Sequence, residues 1–187
     1  MKTYTDEQLV TNYLKGDEEA LEVLIKRYLK PIYSFTFRFV GNSQDAEDIT
    51  QEVFVKVWRN LKKFDKNKKF KTWIFSIAKN TTTDFFRKKK AIPFSEFKNK
   101  EGENVLIGTL ADPAPLPNEV LEGAGIAQGL ISAMEKLLPK YRIVLFLRYN
   151  DHFTFREVAE VLGESLNTVK SRHRRALIIL RKLLSDS

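Results

Sequence analysis

The sequence contains no cysteine, and its 187 residues include only two histidines, two methionines and two tryptophans. Without cysteine there is no disulfide, no thiolate metal site and no sulfur nucleophile. His152 and His173 are the only imidazoles, too few for a histidine metal cage, and neither falls in a Ser/His/Asp order or beside a phosphate-binding glycine loop. The carboxylates are spread along helix faces rather than clustered as a metal-dependent nuclease would need. No run approaches the ~18 apolar residues of a membrane span. The amino terminus, "MKTYTDEQLV", is polar where a secretion signal would be apolar. These absences lead us to expect a soluble intracellular protein with no catalytic residue, no metal, no cofactor and no small-molecule substrate.

Two other balances point the opposite way, toward an abundance. Hydrophobic residues make up 43% of the chain, enough for packed cores. Lys and Arg number 32 against 24 Asp and Glu, a formal net charge of +8. That excess favours an anionic partner, nucleic acid before an acidic membrane surface. Solubility alone is the plainer reading of such a charge.

Proline and glycine divide the chain. Up to about Lys90 the apolar residues recur at helical spacing, with Pro31 as the one expected interruption. The stretch 92–125 then gathers Pro93, Pro113, Pro115 and Pro117, several glycines and an acidic excess. Closely spaced prolines cannot continue a helix, so this is an expected linker, in which "FKNKEGENVLIG" could form a short hairpin. From about Ile126 helical patterning returns. The expected fold is all-α: two small helical domains, 1–91 and 126–187, on an extended tether.

Acidic residues are also missing from "NTVKSRHRRALIILRKLL", Asn167 to Leu184, which holds six basic ones. Just before it, Thr154 and Glu157 are spaced as a capping box. Phe155, Val158, Ala159 and Leu162 follow at one-face helical spacing, and Gly163 supplies a stop. In the second helix Leu166, Val169, His173, Ala176, Leu177, Leu180 and Leu184 form the expected inner stripe, while Lys170, Ser171, Arg174 and Arg175 face largely outward. Two short helices joined by a glycine turn, the second basic, form a helix-turn-helix. Its second helix fits the major groove, where Arg and Lys read guanine edges and hydroxyl groups contact phosphates. A solvated basic face is the bland alternative, but the cap, the turn and the acid-free face occur together.

In the amino-terminal half, "SQDAEDITQEVFVKVWRNL" predicts a helix capped by Ser43, with Asp45, Glu47 and Asp48 near its positive end. Ala46, Ile49, Val53, Val57 and Leu61 line an inner face widened by Phe54 and Trp58. Asp48, Gln51 and Glu52 form a polar stripe, and Glu52 lies too deep in the helix to serve its dipole. Next, "LKKFDKNKKFKTWIFSIAKNTTTDFFRKKK" interleaves lysines with Phe64, Phe70, Trp73, Phe75, Phe85 and Phe86. Cations that follow phosphates and rings that stack bases are what hold single-stranded nucleic acid. Core positions are expected for Ile74, Phe75, Ile77, Ala78 and Phe85, and an outward polar stripe for Asn80, Thr81, Asp84, Arg87 and Lys88.

The motifs "DAEDITQEVFVKVW", "FKTWIFSIAKNTTTDFFRKKK", "LPKYRIVLFLRY", "FTFREVAEVLGES" and "NTVKSRHRRAL", in that order, resemble the extracytoplasmic-function (ECF) sigma factors. These are small sigma-70-type initiation subunits of bacterial RNA polymerase. The resemblance implies two helical domains, region 2 and region 4, in a cytoplasmic bacterial protein. It implies that Asp48, Gln51 and Glu52 dock on the β′ clamp helices of core RNA polymerase, with the β subunit a further contact. Phe64, Phe70, Trp73, Asn80, Asp84, Arg87 and Lys88 become candidates for opening and capturing the −10 element of promoter DNA. Lys170, Ser171, Arg174 and Arg175 match the helix that reads the −35 element, with Arg156, Thr168 and Arg172 as phosphate contacts. An anti-sigma factor is a further partner found for many relatives. Asn167 departs from the glycine common before Thr-Val; Asn tolerates a left-handed backbone almost as well. The rival is a conventional helix-turn-helix regulator that binds an operator without core polymerase. It would leave the Asp48/Gln51/Glu52 stripe and the lysine-aromatic segment without a role.

Overall fold

The computed structural model describes residues 4–91 and 129–185. Among them there are helices and connecting turns and no strand, as the all-α expectation has it. The expected linker, with its hairpin segment, lies outside the described residues. In order, the helices are α1 (Asp6–Leu14), α2 (Glu18–Val40), α3 (Ser43–Asn60), α4 (Phe70–Ala91), α5 (129–136), α6 (Pro139–Leu145), α7 (Phe155–Leu162) and α8 (Leu166–Ser185). A short 3₁₀ turn, Leu61–Lys63, precedes α4, and a π-type turn, Phe146–Asn150, follows α6.

The chain divides into two compact units, one made of Met1–Ala91 with Phe146–Lys170, the other of Ile92–Leu145 with Ser171–Ser187. In the first, Phe35, Phe70, Phe75, Phe153, Ile32, Ile49, Leu61 and Ile74 are among the most deeply buried side chains. Each contributes roughly 1.5–3 kcal/mol by leaving water. The rings meet edge to face: Phe35 on Phe75 and Tyr28 on Phe70, both with centroids 5.4 Å apart. Two buried hydroxyl groups of this core are matched across helices. Thr36 and Thr50 share a hydrogen bond of 3.1 Å between α2 and α3, and the Thr50 hydroxyl donates to the Ala46 carbonyl at 2.6 Å.

Pro31 does not interrupt α2, contrary to expectation; the helix runs through it from Glu18 to Val40. A mid-helix proline costs about 3 kcal/mol or more. Here Tyr28 before it and Ile32 and Phe35 after it are all buried, and that packing outweighs the lost hydrogen bond. α1 is fastened to the same helix: Tyr28 and Arg27 both donate to the Asp6 carboxylate. Burial and the Asp6 carboxylate raise the Tyr28 phenol above its ordinary range, so it remains a donor.

In the second unit, Leu137, Tyr141, Leu145 and Ala176 form a small buried cluster, with Met134 and Leu180 packed against it. Ala176 and Leu180 fulfil the expected inner stripe of α8. Leu177 and Leu184 do not: both are exposed, together with Ile178 and Ile179.

Candidate polymerase-docking and nucleic-acid surfaces

Asn42, not Ser43, caps α3: its side chain accepts from the Asp45 N–H at 3.0 Å. Both residue types cap well, so the pattern located the helix start only to within one residue. From that start, Ala46, Ile49, Val53, Val57 and Leu61 are buried as expected, which turns Asp48, Gln51 and Glu52 to the exposed face. Glu52 pairs with Lys56 at 2.7 Å, and Lys56 also donates to the Thr81 hydroxyl at 3.1 Å. The stripe has an apolar margin that sequence reasoning missed. Val55 is 44% and Trp58 57% exposed, although Trp58 was expected to widen the inner face. Its indole N–H donates to the Tyr13 hydroxyl at 3.0 Å. The signal was in the spacing, because Gln51, Val55 and Trp58 follow one another at four and three residues along one side.

The segment between α3 and α4 corrects two aromatic candidates. Phe64 is 6% and Phe70 1% exposed, so neither ring offers a face to a base. They instead buttress Trp73, with centroids 5.1 and 5.6 Å from it, and Trp73 is the half-buried member of the trio. Around them Lys62, Lys63, Lys66, Lys68 and Lys69 are exposed. Asp65 folds the loop by accepting from the Asn67 backbone and side-chain N–H groups at 3.0 and 3.1 Å. Glu7 of α1 accepts from the Phe70 N–H at 3.1 Å, satisfying one of the open donors at the start of α4. Nothing in the local sequence of α4 could have indicated it.

Along α4, Asn80, Arg87 and Lys88 are exposed and Asp84 half-buried. Arg87 pairs with Asp84 at 3.1 Å. Thr81, expected on the same outward stripe, is buried, where its hydroxyl receives Lys56.

In the carboxy-terminal half the capping box is present. The Thr154 side chain accepts from the Glu157 N–H at 3.3 Å, and the Glu157 carboxylate accepts from the Thr154 N–H at 2.7 Å. Gly163 ends α7 in the left-handed region, φ +67°, and Ser165 opens α8 by accepting from the Thr168 N–H at 3.1 Å. Asn167 therefore sits within α8, and no left-handed backbone is required there; the turn's special conformation belongs to Gly163. Arg156, Thr168, Lys170, Ser171, Arg174 and Arg175 are exposed, and Arg172 and His173 are half-buried. Ser171, Arg174, Arg175 and Ile178 share one face of α8 at helical spacing.

An exposed acidic-apolar stripe, a lysine-rich loop around a buttressed tryptophan and a capped helix pair with a basic second member are together the features of a helical protein whose basic surfaces suit nucleic acid. Comparison with known proteins gives the family. The model of sigma-70 region 2 matches residues 24–92, and that of sigma-70, region 4 matches residues 127–180. The chain is 36% identical over 174 residues to the ECF RNA polymerase sigma factor SigW of Bacillus subtilis (strain 168), covering 92% of each. It is 31% identical over 173 residues to the ECF RNA polymerase sigma-E factor of Escherichia coli (strain K12), covering 92% of this chain and 90% of that one. The chain belongs to the ECF group of the sigma-70 family. Its fold is similar to that of CnrH in complex with the cytosolic domain of CnrY, with a TM-score of 0.68, 26% identity, and 97% and 98% of the two chains covered. The sigma factor RpoE of Bartonella quintana, in complex with the anti-sigma factor NepR, shares the fold at a TM-score of 0.66 and 22% identity, over 88% and 96% of the two chains. Among the described residues no helix is long and apolar enough to cross a membrane.

Proposed function

We propose that this chain is a promoter-specificity subunit of bacterial RNA polymerase, working in the cytoplasm and supplying no chemistry of its own. Residues 1–91 act as the region 2 domain, 92–125 as the tether and 126–187 as the region 4 domain. Asp48, Gln51 and Glu52, widened by Val55 and Trp58, dock on the β′ clamp helices. The stripe suits such a partner because its carboxylates give orientation and its exposed apolar atoms give area to bury.

Trp73, buttressed by Phe64 and Phe70, is the base-stacking residue of the −10 surface, and Asn80, Asp84, Arg87 and Lys88 extend that surface along α4. Lys170, Ser171, Arg174 and Arg175 read the −35 element, with Arg156, Thr168 and Arg172 on its phosphates. Partners are core RNA polymerase, through β′ and β, promoter DNA, and an anti-sigma protein. Two weak DNA contacts on one chain reinforce each other only when the promoter spacing matches their tether.

The observation that carries this reading is the exposed Asp48/Gln51/Glu52 stripe on a helix whose opposite face is fully buried. An operator-binding regulator has no use for it. The test is gel-filtration co-elution with core RNA polymerase in moderate salt, where loose charge attraction is screened. The parent chain is expected to co-elute and an Asp48→Arg/Glu52→Arg variant to elute alone. Failure of the parent to bind would sink the proposal.

A further inference from the structure

Within the first unit, the segment Asp151–Glu157 is held on a surface built by α2 and α4. Phe153, buried, meets Phe75 edge to face with centroids 5.0 Å apart. The Lys71 ammonium lies 4.5 Å from the centre of the Phe153 ring and donates to the Asp151 carbonyl at 2.6 Å. Arg38 of α2 donates to the Asp151 carboxylate at 2.9 Å, with only 14% and 8% of the two side chains exposed. Lys69 donates to Glu157 at 2.7 Å. Between Asp151 and Phe153 the chain turns through His152 in the left-handed region, φ 56°. Three cations and an aromatic socket therefore hold an acidic-aromatic turn.

We propose that this surface of α2 and α4 is an intramolecular docking site whose occupant is the chain's own Asp151–Glu157 segment, and that the docked segment competes with single-stranded nucleic acid for Lys69 and Lys71. The competition rests on the reading above, in which the lysine-rich segment meets the −10 strand. Lys69 and Lys71 belong to that segment, yet their ammonium groups are given to a carboxylate and a carbonyl of the chain itself. Glu157 already balances the Lys69 charge, and the Asp151 carbonyl and the Phe153 ring hold the Lys71 ammonium, so a phosphate gains less from either lysine while the segment is docked. The Arg38–Asp151 pair is the grip. Taking away one partner of a nearly buried pair leaves the other charge uncompensated, so the docked state weakens while the lysines remain intact.

The experiment uses the full chain and two variants, Arg38→Gln and Asp151→Asn, which change the net charge in opposite directions. Docking is read from hydrogen exchange of the α7 amides, and binding from the anisotropy of a fluorescein-labelled oligothymidylate across a salt series. Both variants are expected to exchange faster in α7 and to bind the oligonucleotide several-fold more tightly. Freeing two lysines steepens the slope of log K against log salt by up to about 1.4. Adding Lys69→Ala and Lys71→Ala is expected to abolish the gain. Opposite changes in affinity would reduce the effect to net charge and overturn the proposal. Faster exchange with unchanged affinity would overturn the competition, and unchanged exchange would overturn the docking. If neither parent nor variant binds the oligonucleotide, the −10 reading of the segment fails, while the exchange result still decides whether the segment docks.

Discussion

Glu157 joins two interactions whose contributions can be separated by substitution. One carboxylate oxygen accepts from the Thr154 N–H at 2.7 Å and from its hydroxyl at 2.8 Å, while the other accepts from Lys69 at 2.7 Å. The capping hydrogen bond is worth about 1 kcal/mol. A carboxylate in the first turn gains a further ~0.3–1 kcal/mol from the helix dipole. The ion pair adds no more than about 1 kcal/mol, because the Lys69 side chain is 72% exposed. Glu157→Ala removes all three and is expected to destabilise the first unit by about 2 kcal/mol. Glu157→Gln keeps an oxygen for the Thr154 N–H but loses both charge effects, for a loss of about 1 kcal/mol.

Both tryptophans, Trp58 and Trp73, lie in this unit, so urea unfolding followed by indole fluorescence reports on it alone. The pH dependence adds a second check. Burial opposes ionisation of Glu157, but the hydrogen bonds from Lys69 and Thr154 outweigh it and hold the carboxyl at about 2, below its ordinary 4.5. The unfolded chain therefore takes up the proton first as pH falls. The advantage of Glu over Gln is complete above pH 4.5 and declines as pH falls toward about 2. Equal losses for Gln and Ala, or a Glu–Gln difference unchanged between pH 5 and pH 3, would refute this division of the energy.

Gly163→Ala is expected to cost about 1 kcal/mol in the same unfolding assay. Beyond the adjacent residues no atom lies within 4 Å of the added methyl group, so the loss reports the left-handed backbone. Phe64→Ala should lose ~3 kcal/mol as a core truncation, whereas Trp73→Ala should cost less stability but weaken oligothymidylate binding by about 1–3 kcal/mol. Equal effects of the two on binding at matched stability would return Phe64 to the surface role the sequence suggested. Arg174→Ala is expected to lose roughly 1–3 kcal/mol at a matched −35 duplex and much less on a scrambled one. Equal loss on both would make it a phosphate contact.

What could be read from the sequence follows the range of the interaction involved. The Thr154/Glu157 box and the Gly163 stop are contacts between residues one turn apart, and both stand where the pattern placed them. The inner face of α3 was legible for the same reason, since five apolar positions recur at one periodicity. The errors occur where a partner distant in sequence decides. Phe64 and Phe70 look like their exposed lysine neighbours in composition. They are buried because α2 brings Tyr28 against Phe70 and α1 brings Glu7 to the same backbone. Thr81 is inside because Lys56, 25 residues earlier, reaches it. Pro31 was a fair warning of a break, overruled by buried neighbours on both sides.

The same distinction bears on how the two candidate surfaces for DNA are maintained. The candidate base-reading groups on α8 are displayed by a cap, a turn and the small cluster that seats Ala176 on Leu137, Tyr141 and Leu145, all within residues 129–185. The candidate −10 surface has no such independence. Its tryptophan is placed by two core phenylalanines, its helix start is satisfied by α1, and two of its lysines are occupied by Asp151 and Glu157. Substitutions in α1, α2 or the Asp151–Glu157 turn, none of which need touch DNA, should therefore alter single-strand binding. Comparable changes outside residues 129–185 should leave −35 recognition by the isolated chain as it was. Loss of duplex and single-strand binding in parallel from an Arg38 substitution would contradict that asymmetry.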